Sequence, residues 1–91
     1  MNFTINYLPL VIREDIPRLD STIRAQIQFA ILKKLTAAPH VFGAPLRHSL
    51  KGHWRLRVGE YRVIFRIEGS FVHIVGILHR SVTYIDMSKR L

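Results

Sequence analysis

Arginine alternates with apolar side chains over one stretch of this chain, where phosphate or carboxylate chemistry is the natural expectation. Arginine occupies positions 55, 57, 62 and 66, and apolar residues occupy positions 54, 56, 58, 61, 63, 65 and 67. Side chains of a strand alternate between two faces, so one face is expected to be buried and the other to carry guanidinium groups. Several arginines on one surface favour anions through bidentate, charge-assisted hydrogen bonds. The same pattern is also typical of a solvated face on which arginine stems lie over the sheet.

A two-residue turn at Gly59-Glu60 would fold this stretch into a hairpin, because glycine readily adopts the positive φ that such a turn needs. Arg57 then lies directly opposite Arg62. Like charges directly opposite in a sheet are unfavourable. We therefore predict an anionic partner that binds between the two guanidinium groups.

A second turn at Gly69-Ser70 predicts a further strand over residues 71–79. With a two-residue loop, Tyr61 would face Leu78, and His79 would join the arginine face beside Glu60 and Arg62. A histidine titrates near working pH, so His79 is the first candidate for a general acid or base. His53 is a weaker candidate because it immediately precedes the hairpin. The remaining histidines, His40, His48 and His73, are interpreted as surface or packing residues.

The surrounding pattern predicts the elements that must position this surface. Residues 3–7 alternate as a strand, Pro9 suits the first turn of a helix, and Pro17 ends or distorts that helix. Asp20 is the expected N-cap of a second helix from Ser21 to about Ala37. We predict an α+β fold over residues 1–91 as a single domain, in which an N-terminal strand and a helical hairpin precede an antiparallel sheet of three or four strands.

Charge and composition restrict the class of function further. The 91-residue chain has a formal net charge of +8, and the acids and bases through residue 32 cancel, so the excess lies in the second part with the strands. A localised basic field indicates a polyanionic partner, either nucleic acid or an acidic protein. Cysteine is absent, and no clustered ligands predict a metal or cofactor. No signal peptide or membrane span is evident, so a cytoplasmic protein without membrane contact is expected.

Three segments together resemble the RelE/ParE superfamily of bacterial type II toxin–antitoxin toxins. They are Pro45-Leu-Arg-His-Ser-Leu-Lys-Gly52, Trp54-Arg-Leu-Arg-Val-Gly-Glu-Tyr-Arg-Val-Ile-Phe65 and His79-Arg-Ser-Val-Thr-Tyr84. The pattern LxGxWRLRVGxYRxIF is specific for the superfamily and much less so for a branch within it. The resemblance covers nearly the whole chain and implies the RelE-like fold.

For the RelE branch, the resemblance implies an mRNA endoribonuclease, or mRNA interferase, that acts on the 70S ribosome. Such a toxin cuts messenger RNA without metal, using the 2′-hydroxyl of the RNA as nucleophile. Arg62 and Arg80 would stabilise the charge of the transition state, and Tyr84 would stack on or orient a nucleotide. The residues implied in RNA binding are basic: Arg55, Arg57, Arg66, Lys51 and His53.

One departure concerns the base. RelE carries lysines where this chain has Arg55 and Arg57, and arginine stays protonated. Proton removal is therefore assigned to His79, with Glu60 or Tyr84 as weaker alternatives. The joint presence of His79, Arg80 and Tyr84 favours the RelE-like branch.

Two other functions stay open at this point. A ParE-like toxin would inhibit DNA gyrase by protein binding, and a non-catalytic domain would only bind RNA or the ribosome. In either toxin branch, the resemblance implies a cognate antitoxin encoded in the same operon, whose partly acidic segment would fold over the basic face.

Overall fold

A five-stranded sheet organises the molecule. The computed structural model describes residues 2–82 and 84–90, so Met1, Thr83 and Leu91 lie outside the described residues. The strands are β1 (Thr4–Tyr7), β2 (Ala44–Pro45), β3 (Trp54–Val58), β4 (Tyr61–Glu68) and β5 (Phe71–His79), and their order across the sheet is β1-β5-β4-β3-β2. The α+β class with an N-terminal strand is confirmed. The expected antiparallel sheet of three or four strands is a mixed sheet of five, because β1 pairs parallel to β5 and the two-residue β2 adds an edge.

The helical hairpin precedes most of the sheet, as the sequence predicts. Its first arm is a π-helical segment (Val11–Asp15) followed by a 3-10 turn (Ile16–Arg18), and its second arm is α1 (Ser21–Ala30), which continues as a π-helical segment (Ile31–Leu35). Asp20 caps α1 as predicted, since its carboxylate accepts a 2.9 Å hydrogen bond from the amide of Ile23. Helical structure stops at Leu35, slightly before the predicted end at Ala37.

Three short helical elements complete the fold. Pro39 opens α2 (Pro39–Phe42), a 3-10 turn spans His48–Leu50, and α3 (Tyr84–Ser88) lies near the C-terminus. Over residues 2–82 and 84–90, no helix is long and apolar enough to cross a membrane.

The main apolar core lies between the helical hairpin and one face of the sheet. Ile27, Ile31 and Leu35 project from the helices towards Val63 and Phe65 of β4, and all five are almost completely buried. Burial of this surface is the chief source of stability, since side chains of this size contribute about 1.5–3 kcal/mol each when fully buried.

A second apolar cluster covers the middle of the opposite face, which carries the arginines. Its buried members are Leu50, Ile64, Val75, Leu78 and Met87. The sequence pattern alone predicts one face of the sheet that carries the guanidinium groups. Here α3 and the 3-10 turn His48–Leu50 bury the part of that face around Ile64, so the arginines are divided between its two ends.

A β-bulge in β5 decides which side chains share a face. Phe65 pairs with Ile74 as predicted, but Ile64 pairs with Gly76, which leaves Val75 as an extra residue in the ladder. One inserted residue reverses the alternation beyond it. Tyr61 therefore pairs with His79, and the predicted pairing with Leu78 is wrong.

Gly43 provides a test of packing between β2 and the core. A Cβ placed there would lie 2.5 Å from the Cζ of Phe65 and 2.9 Å from the carbonyl oxygen of Pro39. Phe65 is fully buried, so neither neighbour can move freely. We expect Gly43→Ala to reduce the free energy of unfolding by about 1–3 kcal/mol, measured by urea denaturation.

A double-mutant cycle with Phe65→Leu supplies the control for that prediction. Shortening the ring removes the closest clash, so Gly43→Ala should cost clearly less in the Phe65→Leu background than in the natural protein. An equal cost in both backgrounds would show that the Phe65 ring does not set the packing limit at Gly43.

Candidate functional site

Three arginines line a pocket at the turn between β3 and β4. Arg57 lies directly opposite Arg62 in the ladder, which confirms the predicted pair. The pocket has a volume of about 330 Å³, and its lining residues are Arg57, Gly59, Glu60, Tyr61, Arg62 and Arg80. Gly59 adopts the left-handed conformation that the tight turn requires, with φ of 57°. A single carboxylate faces three cations here, so the pocket is suited to an anion.

The chain beyond β5 holds Arg62 in place. One amino group of its guanidinium donates to the carbonyl of Arg80 and, at 3.2 Å, to the carbonyl of Val82. The ring of Tyr84 lies 4.7 Å from the guanidinium carbon, which is cation–π geometry. These contacts predispose Arg62 to one orientation before any ligand binds. The Nε atom of Arg62 is buried and has no hydrogen-bond partner among the described residues.

Arg80 is held more loosely than Arg62. Its backbone amide donates a 2.8 Å hydrogen bond to the carbonyl of Glu60, which ties the strand end to the hairpin turn. Its side chain lies 3.5 Å from the Glu60 carboxylate, with both side chains largely exposed. An exposed ion pair of this kind is weak. The guanidinium of Arg80 is therefore able to leave Glu60 for an incoming anion.

His79 lies on the face opposite the arginines, so its predicted position on the arginine face is wrong. The β-bulge places it with Ile77 on the helical side, where its ring packs edge-on against Tyr61 at 5.3 Å. Its Nε2 lies 3.6 Å from the second carboxylate oxygen of Glu60. Glu60 thus stands between His79 and Arg80 and remains the link between the histidine and the pocket.

Ser81 sets the orientation of the His79 ring. The Nδ1 atom of His79 accepts a 3.2 Å hydrogen bond from the Ser81 amide and lies 2.8 Å from its hydroxyl. A backbone amide can only donate, so Nδ1 carries the lone pair and the proton of the neutral ring lies on Nε2, facing Glu60. Sequence reasoning missed Ser81. The only signal was its position two residues after the candidate base.

The other predicted RNA-binding residues lie outside the pocket. Arg55 lies on the same face as Arg57, opposite Ile64, and its side chain is half-buried. Arg66 lies at the far end of β4 and pairs with His73 of β5. Lys51 is exposed in the turn after the His48–Leu50 element. These cations extend the basic surface along the sheet and around the second apolar cluster.

His53 lies near Arg66, and its environment disfavours the charged ring. Both ring nitrogens are buried without a hydrogen-bond partner among the described residues. Burial lowers the pKa of His53 below its usual 6.5, and the positive charge of Arg66 lowers it further. Its assignment to RNA binding stays a prediction.

The lowered pKa of His53 makes stability depend on pH. Because the unfolded chain binds this proton more readily, the contribution of His53 is complete above about pH 6.5 and is lost as the pH falls towards the folded-state pKa. The substitution His53→Phe keeps an aromatic ring at this position and removes the titrating imidazole. We expect the variant to lose less unfolding free energy between pH 7 and pH 5 than the natural protein, measured by urea denaturation. Parallel pH profiles would contradict this assignment, since the other four histidines are common to both proteins.

Comparison with known proteins places this fold in a class of small toxins. The family described as the ParE toxin of the type II toxin–antitoxin system parDE matches residues 11–84. The chain therefore belongs to the RelE/ParE family of type II toxin–antitoxin toxins.

Curated relatives place the chain towards the RelE-like branch. It is 36% identical over 72 residues to toxin RelE of Mycobacterium tuberculosis, covering 77% of this chain and 74% of the relative. It is 31% identical over 86 residues to toxin RelG of the same organism, covering 92% of this chain and 98% of the relative.

Solved structures support the same fold. The crystal structure of the toxin–antitoxin complex RelBE2 from M. tuberculosis superposes with a TM-score of 0.82 at 28% identity, covering 90% of this chain and 95% of that one. An arginine-to-alanine double mutant of E. coli toxin RelE in its free state superposes with a TM-score of 0.77 over 100% of this chain and 99% of that one. At 15% identity, this second likeness concerns the fold alone.

Proposed function

We propose that this toxin is an mRNA endoribonuclease that cleaves ribosome-bound messenger RNA by attack of a ribose 2′-hydroxyl on the adjacent phosphate. The observation that carries the proposal is the pocket in which Arg57, Arg62 and Arg80 converge, with Arg62 already oriented. Donors that are preorganised towards developing negative charge are the largest single source of rate acceleration in many enzymes. The kinship with toxins named RelE supports the same reaction.

Within this proposal, the arginines divide the work of binding and charge stabilisation. Arg62 and Arg80 face the scissile phosphate and stabilise the charge that grows on its oxygens. Arg57 and Arg55, which lie two positions apart on the same face of β3, hold the adjoining RNA backbone. The first role of Tyr84 is to orient Arg62, because the Tyr84 ring already stacks on the Arg62 guanidinium.

The 2′-hydroxyl proton must pass to a base when the new O–P bond forms. The lone pair of His79 lies on Nδ1, beside the exposed hydroxyl of Ser81. We assign Nδ1 as the final acceptor: the RNA hydroxyl gives its proton to the Ser81 oxygen as Ser81 gives its own to His79. Glu60, near Nε2, stabilises the imidazolium that results. The leaving 5′-oxygen takes its proton from water or from Tyr84.

The expected partners follow from the basic surface. The net charge of +8 and the open arginine pocket fit a ribosome-bound messenger RNA. The similar structure from M. tuberculosis, RelBE2, is a toxin–antitoxin complex. We infer that a cognate antitoxin covers the pocket of this chain too, through a segment that is partly acidic and folds on binding.

Two assays run in parallel test the proposal against the ParE-like alternative, which the description of the matching family favours. Purified toxin is added to ribosomes stalled on a defined messenger, and new RNA ends are mapped by primer extension. Supercoiling by DNA gyrase is measured with the same preparation. New ends that require the ribosome would support the nuclease. Intact messenger together with inhibited gyrase would move the chain to the gyrase-binding class.

A third outcome would separate binding from chemistry. Ribosome binding without new RNA ends and without gyrase inhibition would identify a non-catalytic ribosome-binding domain. Toxicity on induced expression, relieved by the neighbouring small reading frame, would identify the antitoxin independently of the reaction.

A further inference from the structure

We propose that Asp15 and Arg90 form a positioning pair that orients Arg62 through the C-terminal tail, defined here as residues 80–82 and 84–90. Asp15 belongs to the first arm of the helical hairpin, and Arg90 lies at the end of the tail. Their side chains meet in a two-pronged ion pair, with Nη1 to Oδ2 at 2.6 Å and Nη2 to Oδ1 at 3.0 Å. The importance of this pair for RNA cleavage rests on the proposed function; its effect on Arg62 does not.

The carboxylate of Asp15 is built into the core side of the sheet. Asp15 is only 3% exposed, and among the described residues it is the one charged side chain that is buried. Its Oδ2 also accepts a 3.0 Å hydrogen bond from the amide of Ile77. That amide lies beyond the part of β5 that pairs with β1, which ends at Ile74. Asp15 therefore replaces a missing strand partner and is fixed independently of Arg90.

Arg90 attaches the tail to the same place. Besides Asp15, its Nη1 reaches the carbonyl of Val75, the extra residue of the β-bulge, at 3.3 Å. The hydrogen bonds that Arg90 donates to the Asp15 carboxylate raise the pKa of Arg90. A bidentate arginine–carboxylate pair with little solvent access is directional and strong. The end of the tail is thus tied to the hairpin and to β5 together.

Packing of the tail depends on a notch in β5. A Cβ at Gly76 would lie 2.7 Å from the Sδ of Met87, so the absent side chain is what lets α3 approach the sheet. Met87 is 2% exposed in that notch. Since α3 has only five residues, its own hydrogen bonds cannot hold it in water, and its position depends on tertiary anchors.

The anchored tail supplies the described contacts that orient the Arg62 guanidinium. It provides the carbonyls of Arg80 and Val82 and the ring of Tyr84. At one end of the tail, the amide of Arg80 donates a hydrogen bond to the carbonyl of Glu60. At the other end, the guanidinium of Arg90 pairs with the carboxylate of Asp15. Release of the Arg90 end should therefore displace Tyr84 and leave Arg62 free to sample other orientations.

Arginine-selective NMR of Arg62 tests the proposal directly. In the natural protein, the Nε–Hε signal of Arg62 should be displaced from its free position by the Tyr84 ring. We expect Arg90→Met to move that signal most of the way towards the free position. Lys89→Met is the matched control, because it removes one exposed cation next in sequence and should leave the signal unchanged.

Kinetics supply the second measurement. We expect Arg90→Met to lower the single-turnover cleavage rate at saturating ribosome complex by about 10- to 100-fold, the scale expected when a catalytic group is misplaced by about 1 Å. The concentration for half-saturation should change much less, since Arg57 and Arg55 are untouched. Arg90→Lys should recover part of the rate.

The double variant Asp15→Asn/Arg90→Met guards against misfolding, because it leaves no unpaired buried charge and keeps an acceptor for the Ile77 amide. An unmoved Arg62 signal in both folded variants would overturn the proposal, whatever their activity. A displaced Arg62 signal in a toxin that never cleaves RNA would keep the positioning pair and reject the nuclease function instead.

Discussion

Arg62→Ala is expected to lower the rate of the proposed messenger RNA cleavage by about 10²–10³-fold, the usual loss when one donor of a preorganised site is removed. The guanidinium of Arg62 donates hydrogen bonds to two backbone carbonyls and stacks on an aromatic ring. Its orienting contacts are present before substrate binds, so its loss removes both charge and preorganisation. Single-turnover cleavage on programmed ribosomes, followed by primer extension, measures the effect.

The matched control for this prediction is Arg13→Ala. Arg13 is exposed on the helical hairpin, away from the pocket, and its replacement lowers the net charge by the same amount. It should therefore report any general loss of attraction to the ribosome. Partial recovery of Arg62→Ala by added guanidinium would strengthen the assignment. Full activity of Arg62→Ala, with its fold verified by circular dichroism, would mean that the site lies elsewhere.

His79→Ala is expected to slow the chemical step by about 10²–10⁴-fold, the range typical of a general acid or base. The imidazole has its lone pair on Nδ1 beside Ser81 and its other nitrogen beside Glu60. Removing the ring should leave RNA binding nearly unchanged, because the arginines of the pocket are not touched. The rate should rise again when free imidazole is added.

Two further variants separate the roles around His79. Ser81→Ala removes the hydroxyl relay and keeps the ring, so a smaller loss than that of His79→Ala is expected. Glu60→Gln keeps the shape of the turn and removes the charge that would stabilise the imidazolium. If His79→Ala cleaves at the natural rate while Glu60→Gln is inactive, Glu60 is the base and the proton path proposed here is wrong.

The hairpin shows how much of the fold the local sequence carries. Alternation from Trp54 to Ile67, interrupted by the turn at Gly59-Glu60 and by the apolar Ile64, specifies two strands, their turn and their register. The pairing of Arg57 with Arg62 follows directly and is confirmed. The N-cap at Asp20 is equally local, because a carboxylate that accepts from the next turn needs no distant partner.

The position of His79 shows where local reasoning fails. Alternation through β5 placed it on the arginine face, but the extra residue at Val75 moves Ile77 and His79 to the helical side. A glycine inside a strand, such as Gly76, often marks a bulge, but this signal does not fix where the bulge falls. Its cause is tertiary: Gly76 opens a notch for Met87, and Val75 fills the second apolar cluster.

By itself, the sequence determined the α+β class, the hairpin, the paired arginines and the basic character of the surface, since each depends on period, turn chemistry or charge within a short segment. The tertiary structure decided which of those residues meet. It brought Arg80 and Tyr84 to Arg62, separated His79 from the arginine face, and tied the tail to Asp15 across 75 positions of the chain. Such contacts depend on how distant segments fill one core, and no local pattern of residues encodes that packing.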